Sequence, residues 1–575
     1  YHFLHEYNIM ENFREHLAKS PKCGFFAAFT LVMTAFSANI SANQTEQTLL
    51  LIGGALTTCS SLSPKNCIEK TSLIGKKANQ FQLTGKALKE IKSQWPDDST
   101  NNRNETLRVL SKIAKQQPNL IDKGSLLWAW RDLDSRSLNN LTDREYNFVT
   151  DMLEVAVVDA KGQRIKETVQ SKQNNEPAAN DIVNFISATA KVNSKQPSLL
   201  AITASSRDPY ESADFYEGLL DFDRIKSSWL ALTPALAQAI TTGQCEKLAQ
   251  FRQQNMQVFN RRKIYPDRIQ AEQQLCDAGV DNLVAKIESA TGIMLNGGDQ
   301  SLTRKVLFDD TDKPYPWTNA IRSRPLLVGT SAGTAIQSGG SNQFGSVAMI
   351  TNGTSLAALR DGAHAVSAPS ERCEDDCNQG LSADTLTYQT NGGLGSFSAG
   401  IVDTHFSERN RTVRLATLLA KTGQQYGFGV DETTALVIIK SQLSTIVTVL
   451  GKHGVVHLNK GKDKYSFDYS FWPAGAIIDV TPQGYQLSQR TIDSALPAIK
   501  IPPLPMQRFN NILTDAKLRS LTQAMCLTNE QSAVGQQDEF IVTLNASKNT
   551  QYQRISPSSY GCAIERLSVN ITTIQ

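Results

Sequence analysis

Four stretches of the chain share one pattern: a short unbroken apolar run, a close in small or polar residues, and a helix-like segment after it. They are "TLLLIGGAL" (48–56), "PSLLAITASS" (197–206), "TGIMLNGGDQ" (291–300) and "RPLLVGTSAG" (324–333). Continuous apolar strands separated by helices predict an α/β fold, with a parallel-rich sheet covered by helices on both faces. In such sheets the reactive groups gather at the carboxyl ends of the strands. All four breaks fall at that edge. Further strand candidates are "AGIVDTHF" (399–406), "YGFGVDE" (426–432), "ALVIIK" (435–440) and "TIVTVLG" (445–451).

The pattern changes over 96–195. "LRVLSKIAKQQPNLI" and "YNFVTDMLEVAVVDA" carry apolar residues at helical spacing among many Asn, Gln, Lys and Asp. This reads as a helical insertion in the crossover after the first strand, where a dozen residues would suffice. It is either decoration, including a dimer contact, or a lid or polymer-binding element using Trp128 and Trp130. The α/β domain is thus expected over 43–95 and 196–480. A C-terminal accessory segment over 481–575 follows, with "IPPLP" (501–505) near its start.

At 575 residues the chain can bury a large core. Its formal charge of +3 has no basic stripe to suggest nucleic acid. Ahead of the first strand, Met10, scattered Arg14, Lys19 and Lys22, the apolar run 24–36 and small residues up to 42 follow the order of a secretory leader. The run is shorter than the ~20 residues of a membrane span, so no membrane association is expected after cleavage. Without Cys23 eight cysteines remain, an even number that suits an oxidising compartment. The simplest pairing closes local loops: Cys59–Cys67, Cys245–Cys276, Cys373–Cys377 and Cys526–Cys562. A metal at "CEDDC" (373–377) has only His364 nearby to help, so no metal is expected.

"GTSAG" sets Ser331 between glycines after a buried strand, which is either a tight turn or a nucleophile elbow. Serine needs a base within hydrogen-bond reach. Beyond the leader the histidines are His364, His405, His453 and His457. His453 and His457 flank a glycine turn, where exposed loop histidines are common. His405 closes an apolar strand, and a strand end on the same sheet edge as Ser331 would suit a base. Asp431 and Glu432 supply a carboxylate to orient the imidazole. Alternation sends them to opposite faces, and Glu432 is the one assigned to the site. Gly298 and Ala332 are the backbone N–H candidates for an oxyanion hole. The order Ser331, His405, Glu432 differs from the Ser–acid–His order of an α/β-hydrolase.

"LLIGGAL", "GIMLNGGDQ", "VGTSAGTA", "IVDTHFSERNRTVRL" and "GFGVDETTALV" together resemble the cyanophycinases, in a serine peptidase group that also holds aspartyl dipeptidases. The resemblance covers most of 48–92 and 197–480. It implies a flavodoxin-like or class I glutaminase-like three-layer sandwich, no cofactor, and a homodimer. It also implies hydrolysis of cyanophycin, a poly-aspartate chain bearing arginine, to β-Asp-Arg dipeptides through an acyl-enzyme. Carried over by position, Ser331 is the nucleophile, His405 the base and Glu432 the acid. Gln300 and Asp403 line the cleft, and Arg409, Arg411 and Arg414 hold substrate carboxylates. Thr404 stands where the family usually has glutamine, which bears on subsite preference.

Two other readings compete with a secreted bacterial polymer-degrading enzyme of the periplasm or medium. One is a dipeptidase or isopeptidase acting on small β-aspartyl peptides. The other is a secreted binding protein on the same fold, against which the intact Ser331, His405 and Glu432 set argues.

Overall fold

The four apolar strands lie parallel in one sheet, with Lys226–Trp229 as a fifth, in the computed structural model, which describes residues 46–574 apart from 70–72, 371, 374–376, 378–379, 443 and 500–508. The leader, the acidic centre of "CEDDC" and "IPPLP" lie outside the described residues. Gln47–Lys440 and Ser444–Gln575 form one compact unit, to which everything below belongs.

The main sheet is α/β and mixed. Its order is Gly484–Leu487, Ile477–Thr481, Thr445–Gly451, Thr434–Lys440, Gln47–Ile52, Leu326–Thr330, Gly292–Leu295, Ser198–Ile202 and Lys226–Trp229. From Gln47–Ile52 to Lys226–Trp229 the neighbours are parallel; from Gln47–Ile52 the other way they are antiparallel. Leu49, Leu50, Leu51 and Ile52 are all buried. Successive strand residues point to opposite faces, so both faces of this strand are covered. Each such side chain removed from water contributes about 1.5–3 kcal/mol.

A second sheet runs Ile401–Asp403, Tyr426–Val430, Gly454–Lys460, Ser466–Pro473, Cys562–Thr573, Phe540–Asn545, Ser532–Gln537 and Phe509–Asn510, with Gln551–Arg554 on the flank of Cys562–Thr573. The C-terminal strands therefore continue the sheet that starts at Ile401. The helix Lys517–Thr528 packs on it through Leu518, Leu521 and Met525.

Between the first two parallel strands, the helices Gly85–Ser93, Thr100–Gln116, Lys123–Asn139 and Asp143–Leu153 form a separate small core of Ile91, Leu110, Ile113, Trp130, Phe148 and Leu153. Thr142 and Glu145 close a capping box at the last of these helices. Trp130 is buried and donates to Ser137 Oγ at 2.9 Å, so of the two tryptophans only Trp128 faces solvent. Pro177–Asn193 instead packs against the main sheet. Cys59–Cys67, Cys245–Cys276, Cys373–Cys377 and Cys526–Cys562 all stand at disulfide distance. No helix of the described residues is long and apolar enough to cross a membrane.

Candidate active site

Leu326–Thr330 is followed by Ser331 at φ +53°, a left-handed conformation unusual for a residue with a side chain. The flanking glycines are required by close approach. A Cβ at Gly329 would meet the Gly333 carbonyl at 2.1 Å, and one at Gly333 would meet the Leu295 carbonyl at 2.1 Å. The turn thus presents Ser331, half-buried, at the carboxyl edge of the parallel strands.

His405 reaches it from the other sheet. The expectation of one shared sheet edge is corrected here: Ile401–Asp403 pairs in parallel with Tyr426–Val430 in the second sheet. Its Val402 N–H donates to Ser338 Oγ at 2.9 Å, which ties it beside the segment following Ser331. Ser331 Oγ lies 2.7 Å from His405 Nε2, and His405 Nδ1 lies 2.7 Å from Glu432 Oε1. Glu432 stands where the chain crosses from Tyr426–Val430 in the second sheet to Thr434–Lys440 in the first. Asp431 points away, wholly buried, and accepts from Arg519 and from the Ser407 N–H.

The end of the first strand holds all three segments. The Ile52 carbonyl accepts the Ser331 N–H at 3.0 Å, that of Gly53 accepts the His405 N–H at 2.7 Å, and that of Gly54 accepts the Thr433 N–H at 2.9 Å. Three consecutive carbonyls therefore set the backbone of the serine, the histidine and the neighbour of the glutamate. Sequence reasoning saw only a strand running into glycines at 48–56; the adjacent Gly53 and Gly54 were the available signal.

Burial holds the His405 imidazole below its ordinary range; nearby Arg409 and Arg411 add to this, against the opposing pull of Glu432. The ring is consequently neutral near pH 7 and able to accept a proton. Gly297, not singled out from the sequence, stands close to the serine: a Cβ there would lie 3.3 Å from Ser331 Cβ. Its N–H donates to the Tyr216 hydroxyl at 3.0 Å. Among the described residues the N–H groups of Gly298 and Ala332 have no backbone acceptor. Gly298, at φ +139°, must be glycine, since a Cβ would meet the Ser205 carbonyl at 2.2 Å.

The arginines divide. Arg414 is buried; its Nε and Nη2 grip Asp403 at 2.8 and 2.7 Å, and its Nη1 donates to the Gly353 carbonyl. That fork consumes the donors a substrate carboxylate would use, and it also occupies Asp403. Burial alone would raise the Asp403 carboxyl, but Arg414 and Arg411 outweigh it and hold it below the ordinary range. Arg411 donates to the Thr404 carbonyl at 2.7 Å and stands 3.5 Å from Asp403. Burial, and then Arg414, pushes its guanidinium down to about 9. Arg409 is exposed. The buried Thr404 also gives its N–H to Asp403, and Gln300 gives its amide to the Ile350 and Thr351 carbonyls.

The remaining histidines lie elsewhere. His364 lies at the end of the short strand Ala363–His364, 3.1 Å from the Asp361 carbonyl. His457 is not a loop residue: it is fully buried in Gly454–Lys460 and stacked on Trp472 at 4.7 Å. The alternation of that strand turns it into a cluster with Phe428 and Tyr485. His453 is mostly buried, 3.9 Å from Glu408.

No protein-family model matches the chain. A cyanophycinase of Synechococcus elongatus is 27% identical over 186 residues, which are 31% of this chain and 45% of that protein. The cyanophycinase of Geminocystis herdmanii is 27% identical over 201 residues, 34% of this chain and 60% of the relative. That of Nostoc sp. is 31% identical over 189 residues, 32% and 49% of the two chains. The chain is a distant relative of the cyanophycinases. It spans about half the length of the curated relatives it matches, so the relation is to a peptidase family and not to one member of it. The crystal structure of a peptidase from an acI-B1 Actinobacterium aligns over 52% of this chain and 91% of that one, at 18% identity and a TM-score of 0.31.

Proposed function

We propose that the protein is an exported serine peptidase that cleaves cyanophycin to β-Asp-Arg dipeptides, with Ser331, His405 and Glu432 as its triad. The observation that carries the reading is the relay of two 2.7 Å contacts from Ser331 to His405 to Glu432, on an elbow at positive φ. The substrate comes from the distant cyanophycinase relation.

His405 takes the Ser331 proton as Oγ attacks the carbonyl carbon after a β-aspartyl-arginine unit. Glu432 keeps the ring in the required orientation and stabilises the imidazolium. The oxyanion rests on the N–H groups of Gly298 and Ala332. His405 then gives the proton to the leaving amine. A water, deprotonated by the same ring, releases the acyl group and returns the proton to Ser331. Arg409, Arg411 and Arg414 face the single carboxylate of Asp403, and Arg411 is held down first by burial and then by Arg414. An aspartyl carboxylate of the substrate, reached first by exposed Arg409, would give these guanidiniums a second. Four cysteine pairs at disulfide distance support an oxidising destination.

The test is incubation of the purified protein with cyanophycin granules beside the Ser331→Ala variant, with soluble products identified by mass. Release of β-Asp-Arg by the parent alone is expected. Cleavage of short β-aspartyl peptides without attack on granules would replace the substrate with small peptides. Turnover of neither would overturn the enzymatic reading.

A further inference from the structure

A guanidinium from the C-terminal helix sits behind the site. Arg519, in Lys517–Thr528, is buried, and its Nη1 lies 2.5 Å from Glu408 Oε1 and 2.7 Å from Asp431 Oδ2. The other oxygen of each carboxylate is also engaged. Glu408 Oε2 accepts the Glu432 N–H at 3.0 Å, and Asp431 Oδ1 accepts the Ser407 N–H at 2.9 Å.

The two bonds cross. Glu408 belongs to the segment that carries His405 and holds the backbone of Glu432. Asp431 belongs to the segment that carries Glu432 and holds the backbone two residues after His405. Two carboxylates this near one another repel, more strongly away from water. Arg519 is the cation that offsets this repulsion while both carboxylates keep their backbone partners. Even beside it, burial and Glu408 push the Asp431 carboxyl up to about 6. Among the described residues, His453, 3.9 Å from Glu408, the Tyr560 ring, 4.4 Å from the Arg519 guanidinium, and the buried Tyr469, which feels both Asp431 and Arg519, also face the cluster.

We infer that Arg519 is a positioning residue for His405 and Glu432, acting through the crossed carboxylates of Glu408 and Asp431. The inference rests on the triad reading above. It gives the C-terminal segment a part in the chemistry: the strands after residue 509 place the helix that aims Arg519. One nitrogen makes both bonds, and Arg519 Nε has no partner among the described residues. A lysine ammonium can therefore take the same post, whereas a neutral side chain cannot.

Reaction of the full chain with diisopropyl fluorophosphate tests this without any assumption about substrate. Ser331 Oγ bonds to phosphorus, fluoride leaves, and the serine proton passes to His405. Arg519→Gln is expected to slow labelling of Ser331 about 10- to 100-fold, the scale that slight misplacement of reacting groups produces. Arg519→Lys restores most of the rate, which a loss by general destabilisation would not. Labelling of a folded Arg519→Gln within twofold of the parent overturns the inference and leaves the triad standing. If that variant has no cooperative melt, Glu408→Gln decides: it keeps the volume and an acceptor, and unchanged labelling there overturns the inference equally. A parent that does not label at Ser331 removes the triad reading and this inference with it.

Discussion

Gly54 lies flat against the His405 ring, so that a Cβ in its place would stand 2.3 Å from Cε1 and 2.4 Å from Nε2. Its φ of +107° is also one that side chains rarely adopt. The Gly54 carbonyl meanwhile fixes Thr433. Gly54→Ala must therefore push the imidazole off the Ser331 line. The expected result is a fall in turnover of about 10²-fold or more, measured on the cleaved substrate. An alanine variant with parental turnover would show that the ring has slack the packing does not suggest.

The acid limb of activity should lie lower than for an ordinary histidine. The base works when neutral, and burial, Arg409 and Arg411 all hold His405 below its ordinary range. Activity is then kept as pH falls past the usual imidazole range and lost only below the depressed value. Arg409→Gln removes one of the positive charges acting on the ring. It should shift the acid midpoint of kcat/KM to higher pH while raising KM. A midpoint that stays put, or moves down, would contradict the electrostatic account.

Arg414 and Arg409 should separate by stability. Arg414→Met leaves the wholly buried Asp403 without its bidentate partner. Breaking a buried pair from one side costs about 3–5 kcal/mol. Arg409 is exposed, and its replacement by Met should stay within about 0.5 kcal/mol of the parent. Denaturant unfolding of the two variants gives the comparison directly. Equal losses would mean that Arg409 has a structural partner or that the Asp403 pair matters little.

What could be read from the sequence follows from how local each signal is. Unbroken apolar runs such as 49–52 and 292–295 specify strands buried on both faces, because a sheet covered on both sides hides every residue of such a run. The serine between glycines, and the histidine and acids at strand ends, were visible for the same reason. Where Ser331 and His405 come from was not visible. Val402 and Leu327 look alike as strand residues, and only pairing reveals that they lie in different sheets. Three arginines at close spacing read as one cluster, but Asp403 takes Arg414 out of it. Arg519 gives no local sign at all, since its partners Glu408 and Asp431 lie 111 and 88 residues earlier. His457 misled because a glycine turn nearby suggested a loop, while strand alternation decided its burial.

That buried histidine makes a last prediction, one of stability. His457 is packed between Phe428 and Trp472, with the Gly427 carbonyl as its only polar partner among the described residues, and burial pushes it down to about 3. In the unfolded chain the same imidazole protonates near its ordinary pKa of about 6.5. Between those values the unfolded state binds a proton that the folded state refuses, so stability present above pH 6.5 is lost as pH falls toward 3. The slope is about 1.4 kcal/mol per pH unit for one such group. His457→Asn can still donate to Gly427 but cannot titrate. It should lower stability at neutral pH through lost packing, yet flatten the decline between pH 6 and 4. Part of the decline remains, because His453 is pushed down to about 4 and titrates in the same window. Unfolding free energies of parent and variant across that range decide it, and parallel slopes would mean that His457 is not the group that couples acid to unfolding.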